Sequence, residues 1–110
     1  MKAPLSTAAT LILAALADGD RHGYAVRKEI TRRTGDEVRL GVTTLYRLLN
    51  DLEAAGLIDE PHVRPAPELD DERRRYFRLT PAGRRALAAE IKRLERVLTA
   101  VRSASLARQR

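Results

Sequence analysis

The chain has 110 residues, 44% of them hydrophobic and 33% charged, which suits one folded domain with a modest core and excludes a disordered chain or two enzymatic lobes. It contains no cysteine and two histidines, so disulfide scaffolds, thiol nucleophiles and Cys-type zinc sites are excluded and a His-rich metal site is short of ligands; no cofactor or metal is expected. A net charge of +6 and a pI near 10.5 point to a polyanionic partner, nucleic acid first. All but Lys2, Lys28 and Lys92 of the 21 basic residues are arginine, a bias that phosphate recognition and a GC-rich genome explain equally well.

The spacing of Leu5, Ile12, Leu13 and Leu16 predicts an apolar helix from Ser6 to Ala17, with Ser6 as N-cap and Gly19 as stop. Lys2 is a single charge, separated from the apolar run by Pro4, Ser6 and Thr7, so the segment reads as a core helix and not as a secretory signal. A second helix follows Gly23, with Val26 and Ile30 on one face and Arg27 and Lys28 on the other, and ends before Gly35. In the third, Val42, Leu45, Leu48, Leu49 and Leu52 form an apolar stripe that Gly56 closes. Thr43, Arg47 and Asn50 fall on its opposite face with Tyr46 beside them, hydrogen-bonding groups in place of the usual Glu and Lys.

Leu57 to Val63 and Arg73 to Leu79 read as two strands of a hairpin around Pro65, Pro67 and the acidic Glu68, Asp70, Asp71 and Glu72. Pro61 marks the first as an edge; in the second, Phe77 and Leu79 face the core and Arg74, Tyr76 and Arg78 face away. Thr80-Pro81 starts a last helix, with Thr80 as N-cap and Pro81 at the first helical position. Leu87, Ile91, Leu94, Leu98 and Val101 repeat in it at intervals of four and three, a coiled-coil seam. A helix of about 25 residues spans roughly 37 Å, more than so small a domain can cover, so a partner helix is expected on the seam.

The fold expected is therefore mainly α with a small β-hairpin: a winged helix-turn-helix over residues 1–80 and one long C-terminal dimerisation helix over 81–110. In that fold the third helix enters the major groove, where Thr43, Thr44, Arg47 and Asn50 offer donors and acceptors to base edges. Arg73, Arg74 and Arg75 supply positive charge to phosphates beside it. Each feature has a plainer explanation: a solvated helix face, six charges at residues 70–75 that neutralise one another, and Tyr24 and Tyr46 as core rings. His22 reads as a hydrogen-bonding residue at a helix start and His62 as an exposed edge residue.

His22-Gly23-Tyr24, Thr44-Leu45-Tyr46, Leu52-Glu53 through Gly56-Leu57-Ile58, and Arg75 through Gly83 together resemble the PadR family of bacterial transcriptional regulators over nearly the whole chain. The resemblance implies a homodimeric repressor that binds an inverted-repeat operator and dimerises through its C-terminal helix with help from the first. It also implies that Tyr24, Tyr46 and Arg75 belong to the DNA-binding surface, by position in the family's His-Gly-Tyr turn, recognition helix and wing strand. The sequence departs from the family at Arg47, where proline is common, and at Asp71-Glu72-Arg73, where Gly-Arg-Pro is common. It has no tryptophan, so the binding of planar aromatic compounds seen in some short members does not transfer.

The partners expected are double-stranded DNA, a second copy of the chain and a small-molecule effector that changes the spacing of the two third helices; no membrane is involved and the location is cytoplasmic. The competing function is a winged-helix dimer that serves as a protein-interaction adaptor without DNA, its arginine strand meeting an acidic surface. An enzyme is not expected, since no catalytic triad order, P-loop or metal-ligand spacing occurs.

Overall fold

In a computed structural model that describes residues 5–61 and 75–108, the elements run α1 (Thr7–Ala17), β1 (Arg21–His22), α2 (Gly23–Arg33), α3 (Val42–Ala54), β2 (Ile58–Asp59), β3 (Tyr76–Leu79) and α4 (Pro81–Arg108). Helix α1 is the centre of the molecule, packed by α2, α3, α4 and β3. That position explains why its sequence is apolar almost all round: Ala9, Ile12, Leu13, Ala15 and Leu16 are all buried. The Ser6 hydroxyl accepts the Ala9 N–H at 3.1 Å as its N-cap, a contribution of about 1 kcal/mol. At its other end the Arg21 Nε donates to the Ala15 carbonyl at 2.7 Å, satisfying a carbonyl of the last turn.

The sheet has three strands in the order β1-β3-β2, all antiparallel, with Arg21 opposite Phe77 and Ile58 opposite Leu79. Among the described residues, the expected strand Leu57 to Val63 is present as Ile58–Asp59, an edge, in line with Pro61, and the expected strand Arg73 to Leu79 as Tyr76–Leu79. The wing residues between, including Arg73 and Arg74 and the edge residue His62, lie outside the described residues. Strand β1 is an addition to the expected hairpin: two residues are too short to show alternation, and their pairing is dictated by β3.

Helix α3 ends in a Schellman turn, with Leu57 N–H donating to the Leu52 carbonyl and Gly56 N–H to that of Glu53, both at 3.0 Å; Gly56 takes the left-handed φ of 78° the turn requires. Two corrections apply to its apolar stripe. Leu45, Leu49 and Leu52 are buried, but Val42 in the first turn is 56% exposed, and Leu48 is half-buried.

The junction with α4 rests on Thr80. Its hydroxyl donates to the Gly56 carbonyl at 2.7 Å and accepts the Gly83 N–H at 3.0 Å, while its own N–H donates to the Leu57 carbonyl at 3.1 Å. Gly83 is held against that same Leu57 carbonyl: an added Cβ would overlap its oxygen and come within 2.8 Å of Leu79 Cδ1. Alanine at Gly83 therefore forces backbone apart, and we expect a loss of about 1–3 kcal/mol, with the thermal midpoint falling roughly 4–8 °C for each. Calorimetry of Gly83→Ala checks this; an unchanged midpoint would contradict the packing.

Beyond the junction α4 leaves the body. Leu87 closes the protomer's own core, which corrects its placement on an uncovered seam, and Glu90 is buried against the start of the chain. The Glu90 carboxylate pairs with Arg93 at 2.6 Å and accepts the Leu5 N–H, and these hold it below the usual carboxylate range, Arg93 foremost. From Ile91 onward the apolar residues Leu94, Val97, Leu98 and Val101 are 44–59% exposed. The 28-residue helix is about 42 Å long, which accounts for the 62 × 31 × 22 Å outline of the protomer.

Candidate nucleic-acid interface

Helices α2 and α3 and the link between them each carry exposed polar residues. The Leu45, Leu49 and Leu52 face of α3 is held in the core, so Thr43, Arg47 and Asn50 stand exposed on the other side, with Thr44 half-buried at their edge. Arg47 has only a loose contact with Asp51, 3.9 Å away, and both side chains are well exposed. Such pairs contribute about 0–1 kcal/mol, so the guanidinium is readily redirected. Val42 adds an exposed apolar group at the leading end of the same helix.

His22 caps α2, its Nδ1 accepting the Ala25 N–H at 3.1 Å, as expected for a helix-start residue. Its ring stacks on Tyr24 at 6.3 Å and meets Tyr76 edge-on at 5.5 Å. Tyr24 is 55% exposed, and the Lys28 ammonium sits 5.4 Å from its ring centroid. The link to α3 turns through two left-handed residues, Gly35 and Asp36, and is pinned where Arg27 Nε donates to the Leu40 carbonyl at 2.6 Å.

Between α2 and this link lies an open cleft of about 430 Å³, lined among others by Tyr24, Arg27, Lys28, Arg32, Arg39 and Leu40. Arg32 is engaged by Glu29 at 2.6 Å and Arg39 by Asp36 at 3.5 Å, but the lining remains net basic. Glu29 carries Arg32 and Arg33 on its carboxylate, which lower its pKa to about 2. Sequence reasoning registered a basic face on α2 but not this cleft, and assigned Val42 to the core. The signals were Tyr24, Lys28 and Arg32 at successive intervals of four, and the position of Val42 in an uncovered first turn.

The remaining expected residues divide. Tyr46 is half-buried with its hydroxyl end over Gly23, where a Cβ would overlap the hydroxyl and come within 2.7 Å of Cζ. Burial raises its phenol pKa, opposed by Arg75. Arg75 is also half-buried, ion-paired with Glu60 at 2.6 Å and Glu53 at 3.5 Å. Arg73 and Arg74 lie outside the described residues.

The helix-turn-helix of α2 and α3, the small sheet beside it and the long terminal helix define a winged-helix protein, and among the described residues no helix is long and apolar enough to cross a membrane. A family model described as the transcriptional regulator PadR-like family matches residues 12–89. The chain belongs to that family, and it is a transcriptional regulator, not an enzyme. The chain is 38% identical over 84 residues to transcriptional regulator Rv3488 of Mycobacterium tuberculosis, a match covering 76% of this chain and 72% of that one. It is 45% identical over 87 residues to an uncharacterised 37.1 kDa protein of transposon TN4556 from Streptomyces fradiae; the match takes in 79% of this chain but only 23% of that protein's length. Among solved structures, a transcriptional regulator from Clostridium thermocellum superposes with a TM-score of 0.72 at 28% identity, covering 86% of this chain and 89% of that one. A PadR family transcription regulator from Clostridium difficile R20291 superposes with a TM-score of 0.67 at 29% identity, covering 92% and 99%.

The contact between Gly23 and Tyr46 is open to a direct check. Gly23→Ala should destabilise the protein by about 1–3 kcal/mol. Tyr46→Leu withdraws the ring, so the double variant should lose less than the sum of the two single losses. Thermal unfolding of the set measures the coupling; strictly additive losses would show that the two residues do not meet.

Proposed function

We propose that the chain works as a homodimeric repressor, inserting α3 of each protomer into successive major grooves of an inverted-repeat operator and leaving it when an effector binds. The observation that carries this reading is the exposed polar face of α3 opposite its buried leucines. Arg47 paired with guanine, Asn50 with adenine, and Thr43 and Thr44 with either are the base contacts this face favours, and Val42 suits a thymine methyl group. Tyr24 and the cleft behind it, with Lys28 and Arg39, suit the adjoining phosphates, and Arg73 and Arg74, read from the sequence alone, add basic charge for the same purpose. Tyr46 serves this surface from behind, setting α3 against the start of α2.

Dimerisation is supported by the bare stripe Ile91, Leu94, Val97, Leu98 and Val101, which one protomer leaves in water and a second copy's α4 would cover. Two α3 helices must then stand about 34 Å apart to meet one face of B-form DNA. Because α1 packs on both α4 and α2, a small molecule that shifts the α1–α4 packing would alter this spacing and release the operator, given different affinity for the two arrangements. The sign of control rests on resemblance to the family, and the cytoplasm is where such a regulator acts.

The test is binding to the duplex upstream of the gene. Arg47→Ala should lower the preference for that duplex over a scrambled one by about 1–3 kcal/mol while leaving affinity for the scrambled duplex nearly unchanged. Equal losses on both would overturn the base-reading role, and wild-type affinity indifferent to salt would favour a protein-interaction adaptor instead. Leu94→Glu and Leu98→Glu each place charge in the stripe and should convert a dimer to monomers in sedimentation. A wild type that sediments as a monomer at micromolar concentration would refute the dimer.

A further inference from the structure

Glu60 and Arg75, far apart in the chain, meet at one point. Glu60 follows β2 directly and Arg75 precedes β3, and Arg75 Nη2 lies 2.6 Å from Glu60 Oε2. The same nitrogen is 3.5 Å from Glu53 Oε1, in the last turn of α3. The Arg75 guanidinium carbon sits 5.1 Å from the centroid of Phe77, a fully buried ring, and the Arg75 carbonyl accepts the N–H of Gly23, the first residue of α2, at 3.2 Å. One residue thus touches both halves of the helix-turn-helix, the opposite strand and the core. Each of the three charged side chains is about one-third exposed or less, so the attraction between them is screened less than on an open surface.

We infer that Arg75 is a positioning residue: clamped by Glu60 and Glu53, it fixes the base of the wing against the recognition helix and does not itself contact DNA phosphate. This rests on the regulator reading above but replaces the expectation that the third arginine of the run binds DNA. The geometry favours the clamp because one guanidinium already facing two carboxylates must give them up to reach a phosphate. Burial and the neighbouring Glu60 carboxylate raise the Glu53 pKa, an effect the Arg75 charge opposes. Loss of Arg75 would leave two crowded acids beside α3.

Two measurements on Arg75→Gln, Glu60→Gln and the double variant separate the roles. In thermal unfolding without DNA, the clamp predicts clear coupling, the double variant losing less than the sum of the single losses; additivity overturns the clamp whatever the protein binds. In titrations of the upstream duplex at several salt concentrations, Arg75→Gln and Glu60→Gln should each weaken binding by about three- to tenfold. The slope of log affinity against log salt should stay that of wild type, because no counterion release is lost. A phosphate contact gives the opposite pattern: Arg75→Gln reduces the slope by about one and Glu60→Gln, by freeing the guanidinium, tightens binding. Either of those results overturns the proposal. Should Arg75→Gln fail to fold, Glu60→Gln alone decides, since the two roles move its affinity in opposite directions. A wild-type chain indifferent to the duplex would refute the regulator reading alone and leave the unfolding cycle to judge the clamp.

Discussion

The burial of one face of α3 against α1 is the constraint from which the surface chemistry of the molecule follows. Leu45, Leu49 and Leu52 lie in the core with Ile12, Leu13 and Leu16, and each fully buried side chain of this size contributes about 1.5–3 kcal/mol. Rotating α3 to hide its polar face would forfeit several of these contributions together and bury Arg47 and Asn50 without partners. Hence Thr43, Arg47 and Asn50 stay in water through no attraction of their own. The surface proposed to read DNA is what remains when the core has been satisfied.

Rigidity at the edges of that surface comes from close backbone contacts more than from long side chains. Gly23 lets the Tyr46 ring lie on the start of α2, and Gly83 lets α4 begin against the Leu57 carbonyl. Thr80 ties α4 to the turn that ends α3. The angle at which α4 leaves the body is therefore coupled to the end of the recognition helix, which is what a dimer needs if its far-reaching helix is to set the spacing of two DNA-reading elements. The same helix changes character along its length: Leu87 and Glu90 are buried in the protomer, and the apolar residues from Ile91 onward are exposed, the stripe proposed to meet a second copy.

Much of this was legible in the sequence because local signals and long-range packing agree. The stripe of α3, the Thr80-Pro81 start of α4, Ser6 as a cap and His22 at a helix start all follow from periodicity or capping chemistry. Features that depend on residues far apart in the chain were not legible. Strand β1 exists because β3 is there to pair with it, and Leu87 is buried in the protomer's core cluster, although its spacing fits the seam. Arg75 looks in sequence like its two neighbours in a run of three, and nothing local announces its approach to Glu53 and Glu60. Val42 fits the apolar period, yet among the described residues no packing element covers it.

In the proposed dimer, what joins the polar face of α3 to the bare stripe of α4 is geometry, two copies of the first held at a fixed pitch by pairing of the second. Hydroxyl-radical footprinting of the upstream duplex reads that pitch directly. Two protected patches on one face of the DNA, centred about 10 base pairs or a multiple of one helical turn apart, are the result the account predicts. A single patch, or two on opposite faces, would contradict it.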